Sequence, residues 1–122
     1  MEIIAEQGLH NLAMEIVGKR MEEEGFEFMT VNSELQKDPQ FVCLKDKKLH
    51  FVIVRAISYP NNPLDFDKVF MDTVRAHADK FEAKTYYAGV GLANADDYDL
   101  PLKTNDPYAI NFQGLQKIES DA

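Results

Sequence analysis

The sequence predicts a single α/β (α+β) domain over residues 1–122, in the order helix, three strands, helix, strand, strand. Three observations carry that reading. A helical apolar repeat runs through the first two dozen residues. The run Phe51-Val52-Ile53-Val54 is unbroken and apolar. A second helical repeat then separates it from another apolar strand, Thr85 to Ala93. With 122 residues, 45% of them hydrophobic, the chain is long enough to bury one sizeable core.

The elements follow in order. Ile4, Leu9, Leu12, Ala13, Ile16, Val17 and Met21 recur at intervals of three and four, while Glu6, Glu15, Lys19 and Glu22 to Glu24 fill the opposite face. Gly25 is the natural C-terminal stop of this helix. From Phe26 to Ser33, alternate residues separate to two faces, which predicts a first strand. Asp38-Pro39 introduces the second strand, Phe41 to Lys45. Asp46-Lys47 joins it to a third, Leu49 to Ala56, so the pair reads as a hairpin with a tight charged turn. The apolar centre of that third strand predicts burial on both faces.

Tyr59-Pro60-Asn61-Asn62-Pro63 is a loop by composition. Asp65 or Asp67 caps a second helix with Phe66, Val69, Phe70, Val74, Ala78 and Phe81 as its core stripe. The fourth strand carries Gly89 and Gly91, which leave room for a close neighbour. Residues 94–107 are a polar, Asp-rich loop in which Pro101 and Pro107 exclude regular structure. Tyr108, Ile110 and Phe112 then alternate with Ala109, Asn111 and Gln113 in a last strand expected at an edge.

The charge balance is acidic: 21 Asp and Glu against 13 Lys and Arg give a net −8. That opposes non-specific attraction to phosphate backbones. The lone Cys43 cannot form an internal disulfide, and zinc-type spacings are absent. Met1 to Glu6 have no secretory-signal pattern, and no run approaches the roughly 18 apolar residues of a membrane span. A cytoplasmic, membrane-free setting is expected.

The chain resembles a known family at particular words: Glu24-Gly25-Phe26-Glu27-Phe28 entering a strand, Asn32, Pro39-Gln40-Phe41-Val42, the turn at Asp46, and Leu49 to Arg55. These are similar to the restriction-endonuclease-like, PD-(D/E)XK superfamily, and within it to small bacterial endonuclease-like proteins related to archaeal Holliday-junction resolvases. The resemblance implies an αβββαβ core with a central mixed sheet flanked by helices. It also implies an Asp at the place of Gln40, a Glu at Ile53 and a Lys at Arg55, with a further Glu on the first helix. That last place falls on His10 counting from Ala13, and near Met14 and Glu15 counting back from Gly25.

In such a site two carboxylates hold a Mg or Mn ion that activates water, and the lysine orients it. Here glutamine offers one neutral oxygen, isoleucine none, and arginine does not release its proton. The resemblance therefore implies a degenerate, pseudo-nuclease site at Gln40, Ile53 and Arg55, with no metal or other cofactor held there. Asp38 is the candidate for a migrated ligand, with Glu15 and Glu6 behind it.

Other candidates have plainer readings. His10, His50 and His77 lie on separate elements without ligand spacing and read as structural or solvated; Cys43 reads as an inert core residue. Gly89-Val90-Gly91 leads into an acidic segment rather than a helix start, which excludes a phosphate loop. Asp96, Asp97 and Asp99 lack calcium-loop spacing. Tyr86, Tyr87, Tyr98 and Tyr108 give the second half an aromatic character, and Tyr87 is expected to be exposed enough for self-association or stacking.

The expected function is thus a binding or assembly module, partnered by another protein or by a second copy through the C-terminal strands. Two alternatives stand beside it. One is a metal-dependent nucleic-acid-processing enzyme with migrated ligands. The other is a non-catalytic nucleic-acid binder using Lys45, Lys47, Lys48 and Arg55.

Overall fold

A computed structural model describes residues 2–35 and 37–119; Met1, Gln36 and residues 120–122, which the single-domain span 1–122 includes, lie outside the described residues. The elements run α1 (Glu6–Glu23), β1 (Glu27–Val31), β2 (Phe41–Lys45), β3 (Lys48–Ser58), α2 (Lys68–Asp79), β4 (Lys84–Asn94), β5 (Tyr108–Phe112) and β6 (Gln116–Ile118). The predicted order is present, and β6 is an addition: three residues of Gln-Lys-Ile are too few to show a period in sequence.

The sheet is mixed, in the order β1-β2-β3-β4-β5, with β6 also on β4. β3 and β4 are parallel over nine residue pairs; every other pairing is antiparallel. Asp46 and Lys47 both take positive φ, 53° and 66°, the turn geometry that matches strand twist and keeps β2 and β3 in register. Gly25, at φ 90°, ends α1 as expected.

Strand alternation sends two sets of side chains to two helices. Val52, Val54, Ala88, Val90 and Leu92 join Phe41 and Cys43 under Ala13, Met14, Val17 and Met21 of α1. Ile53, Tyr87 and Ile118 face Met71, Phe70 and Val74 of α2. The result is three layers, helix on sheet on helix, with β3 central and buried on both sides.

Three expectations are corrected. Tyr87 is 4% exposed rather than solvent-facing, because its strand parity turns it under α2, where it packs on Phe66. Val69 and Phe81, expected in the core stripe of the second helix, are 78% and 53% exposed. The helix begins at Lys68 with Asp67 as its cap, accepting from the Phe70 N–H at 3.0 Å; Phe66 therefore precedes it and Phe81 follows it. The buried positions Met71 and Ala78 set the true stripe. Gly89 does admit a neighbour: a Cβ there would lie 2.0 Å from the Pro63 carbonyl oxygen, so the 59–65 loop lies directly on the sheet.

Candidate functional site

The site grows from the hairpin. β2 begins at Phe41 while β3 continues to Ser58, so the far half of β3 has no strand beside it on the β2 side. Chain leaving a ladder strands backbone groups, which require other partners when buried. Gln40 supplies them. It is fully buried; its main-chain N–H donates to the Val52 carbonyl at 3.1 Å, and its side-chain Oε1 accepts from the Val54 N–H at 2.8 Å. Its Nε2 donates to Asp38 Oδ1 at 2.7 Å and, more weakly, to the Lys37 carbonyl at 3.3 Å. The carboxamide thus needs both its ends. Neither a carboxylate nor an alkyl group would satisfy all these partners.

Asp38 in turn meets Arg55 through both oxygens: Nη1 donates to Oδ1 at 2.9 Å and Nη2 to Oδ2 at 3.1 Å. This two-pronged geometry is the strong form of a carboxylate–guanidinium pair. Arg55 Nη1 also donates to the Val54 carbonyl at 2.9 Å, and the guanidinium lies 5.6 Å from the Phe70 ring. Burial pushes the Asp38 carboxyl up, but the hydrogen bonds from Arg55 and Gln40 and the Arg55 charge outweigh it and hold the group below the usual carboxylate range.

His10 faces the pair from α1. It is 1% exposed, and its Nε2 is sealed from solvent with no hydrogen-bond partner. Burial lowers its affinity for a proton, the Arg55 charge lowers it further, and Asp38 opposes them in part. The imidazole is therefore neutral at pH 7. Beside it, Glu6, Leu9, Leu35, Ala56 and Ser58 complete a cleft of about 260 Å³ with His10 and Arg55. Leu9 and Ser58 also border a second cleft of about 390 Å³ under the 98–102 loop.

The sequence-predicted residues separate cleanly. Gln40, Asp38 and Arg55 come together, and His10, not Met14 or Glu15, is the α1 residue beside them. Glu6 reaches the cleft, whereas Glu15 faces other grooves of α1. Ile53 is fully buried under α2, against Met71 and Tyr87. Lys45, Lys47 and Lys48 cluster at the hairpin turn; seven steps along the strand, about 23 Å at ~3.3 Å each, separate Lys48 from Arg55. They form no basic strip with it. His50 is buried under Phe26 and Tyr86, and His77 is exposed against Phe81. Asp97 and Asn94 accept main-chain N–H groups within the 94–107 loop.

The Asp38–Arg55 pair itself is absent from a residue-by-residue reading: the β2–β3 ladder ends at Phe41↔Val52, so no strand register carries it, and the folded chain alone brings Asp38 to Arg55.

A divalent cation does not fit this donor set. Both Asp38 oxygens are occupied by a guanidinium, which stands where a metal would have to sit, and Ile53 offers no oxygen. Among the described residues, no cluster of three or more His, Cys, Asp or Glu side chains is placed to hold a metal ion. Of the side chains in this corner, Asp38 is engaged by Arg55 and Gln40 and His10 Nε2 is sealed from solvent, while the Glu6 carboxylate borders the same cleft.

A family model described as Domain of unknown function (DUF8840) matches residues 7–118. No curated protein and no solved structure matches the chain. No described helix is long and apolar enough to cross a membrane.

Proposed function

We propose, for a chain that belongs to the family described as Domain of unknown function (DUF8840), a binding or assembly role on an endonuclease-like frame whose cleft does no hydrolysis. The observation that carries the reading is the Asp38–Arg55 pair, locked by Gln40. On this reading Gln40 stands at the place of a metal-binding Asp and Arg55 at the place of the Lys, and Arg55 is spent on holding the Asp38 carboxylate. The three layers and the helix, three strands, helix, strand order support the kinship. The single thiol supports a reducing, cytoplasmic setting: burial pushes Cys43 up to about 11, which leaves it inert.

The test is cleavage of branched, single-stranded and duplex DNA with Mg²⁺ or Mn²⁺. The expected result is no turnover above the metal blank. Reproducible turnover that disappears in an Asp38→Ala variant would overturn the proposal, since it would make Asp38 a metal ligand.

A further inference from the structure

β5 forms one outer edge of the sheet, and it lacks the devices that normally protect an edge. Its five residues, Tyr-Ala-Ile-Asn-Phe, contain no charge and no proline, and its pairing with β4 has no bulge. The opposite edge is protected. β1 carries Glu27, and its register slips between Phe28 and Thr30, so Met29 has no partner across the ladder.

The phase of the β4–β5 ladder fixes which backbone groups face outward. The Tyr59 N–H donates to the Leu92 carbonyl, on the β3 side, while the Ala95 N–H donates to the Pro107 carbonyl, on the β5 side. Odd-numbered residues of β4 therefore bond to β5, at Ala93↔Ala109 and Gly91↔Asn111. It follows that the N–H and C=O groups of Tyr108, Ile110 and Phe112 point away from β4. Among the described residues no strand pairs with them.

We infer that this edge takes a second copy of the chain, two antiparallel β5 strands pairing about a two-fold axis at Ile110 to make one continuous sheet. The sequence of the strand is symmetric in character about that residue. In this register Ile110 meets Ile110 of the other copy, and Tyr108 meets Phe112 at both ends. Each of these is a hydrogen-bonded pair, and all three side chains lie on the α1 face, as their β4 partners Leu92, Val90 and Asn94 require. Tyr108 and Ile110 are 42% and 50% exposed in the single chain.

Local charge at the edge permits a second copy. The α1 wall above β5 carries Glu15 and Glu23 beside Lys19 and Arg20, a balanced set in a chain of net −8. Two such walls face one another across the joined strands without net repulsion. The seam is small, below about 1,200 Å² in total, so association is weak and depends on concentration.

This inference rests on the assembly reading above, but its test is separate from the cleavage assay. Sedimentation velocity from about 5 to about 500 µM brackets weak association. The expected mass doubles for the unaltered chain and for Met29→Lys on the opposite edge. It stays single for Ile110→Lys, which sets two ammonium groups face to face, and for Ile110→Pro, which removes an outward N–H without touching the β4 ladder. Ile110→Cys should form a disulfide-linked dimer on mild oxidation while the buried Cys43 does not react. That gain survives even if the other variants lose their fold. A chain of single mass throughout the range, or a dimer abolished by Met29→Lys and kept by Ile110→Lys, overturns the inference. Cleavage activity would sink the inactive-cleft reading whatever the mass.

Discussion

Gln40→Glu separates a structural carboxamide from a remnant of a metal site. The substitution keeps the shape and the oxygen that accepts the Val54 N–H at 2.8 Å. It replaces the Nε2 donor, 2.7 Å from Asp38 Oδ1, with a second carboxylate in a fully buried position. A hydrogen bond to a charged acceptor contributes about 1.5–3 kcal/mol, and the weaker bond to Lys37 contributes about 0.5–1 kcal/mol. Adding the repulsion between two buried carboxylates, the expected loss is about 4 kcal/mol at pH 7. With a slope of about 2 kcal/mol per molar in urea, the midpoint falls by about 2 M.

Burial and the Asp38 charge raise the proton affinity of the new carboxyl. The loss is then full at high pH and shrinks as pH falls through the raised value, where the carboxyl regains a proton to donate to Asp38. Urea unfolding at pH 7.5 and pH 5 reads both effects. A midpoint within about 0.3 M of the unaltered protein at pH 7.5 would refute the structural role. So would a variant that Mn²⁺ stabilises, since two carboxylates would then be chelating a metal rather than opposing one another.

Two further predictions concern packing and acid. Gly89→Ala places a methyl 2.0 Å from a backbone oxygen that cannot move aside, so the expected loss is about 3 kcal/mol. Gly18→Ala is the control: its methyl meets Phe41 at 3.4 Å inside α1, with an expected gain of about 0.5–1 kcal/mol in thermal unfolding. Burial lowers the proton affinity of both His10 and His50. Their neutral forms stabilise the fold fully above the ordinary histidine value near 6.5, and that contribution is lost as pH falls below it toward the lowered folded values. Melting temperature should therefore decline below about pH 6.5, and less steeply in His10→Gln; an unchanged slope in that variant would count against the buried neutral imidazole. Asp38, held below its usual range, adds a second loss only at lower pH.

Local patterns made much of this fold readable. A period near 3.6 marked α1, the apolar run Phe51 to Val54 marked the central strand, and Asp46-Lys47 between two strand patterns marked the hairpin. Each rests on neighbours within a few residues, and their physics is the same wherever the segment lands. Val69 and Phe81 show the limit of that rule: apolar residues at a helix start and just past its end satisfy the period but not the burial, because the axis of α2 is set by Met71 and Ala78 on the sheet.

The chain alone also showed that Gln40, Ile53 and Arg55 carry no carboxylate, by residue chemistry with no coordinates needed. How Asp38 and Arg55 come together was a tertiary decision. Asp38 binds Arg55 because β2 stops at Phe41 and leaves the rest of β3 open beside the preceding loop. His10 seals that corner because α1 crosses it. Such pairings depend on where a strand ends and which helix lies over it, and those follow from packing the whole chain at once.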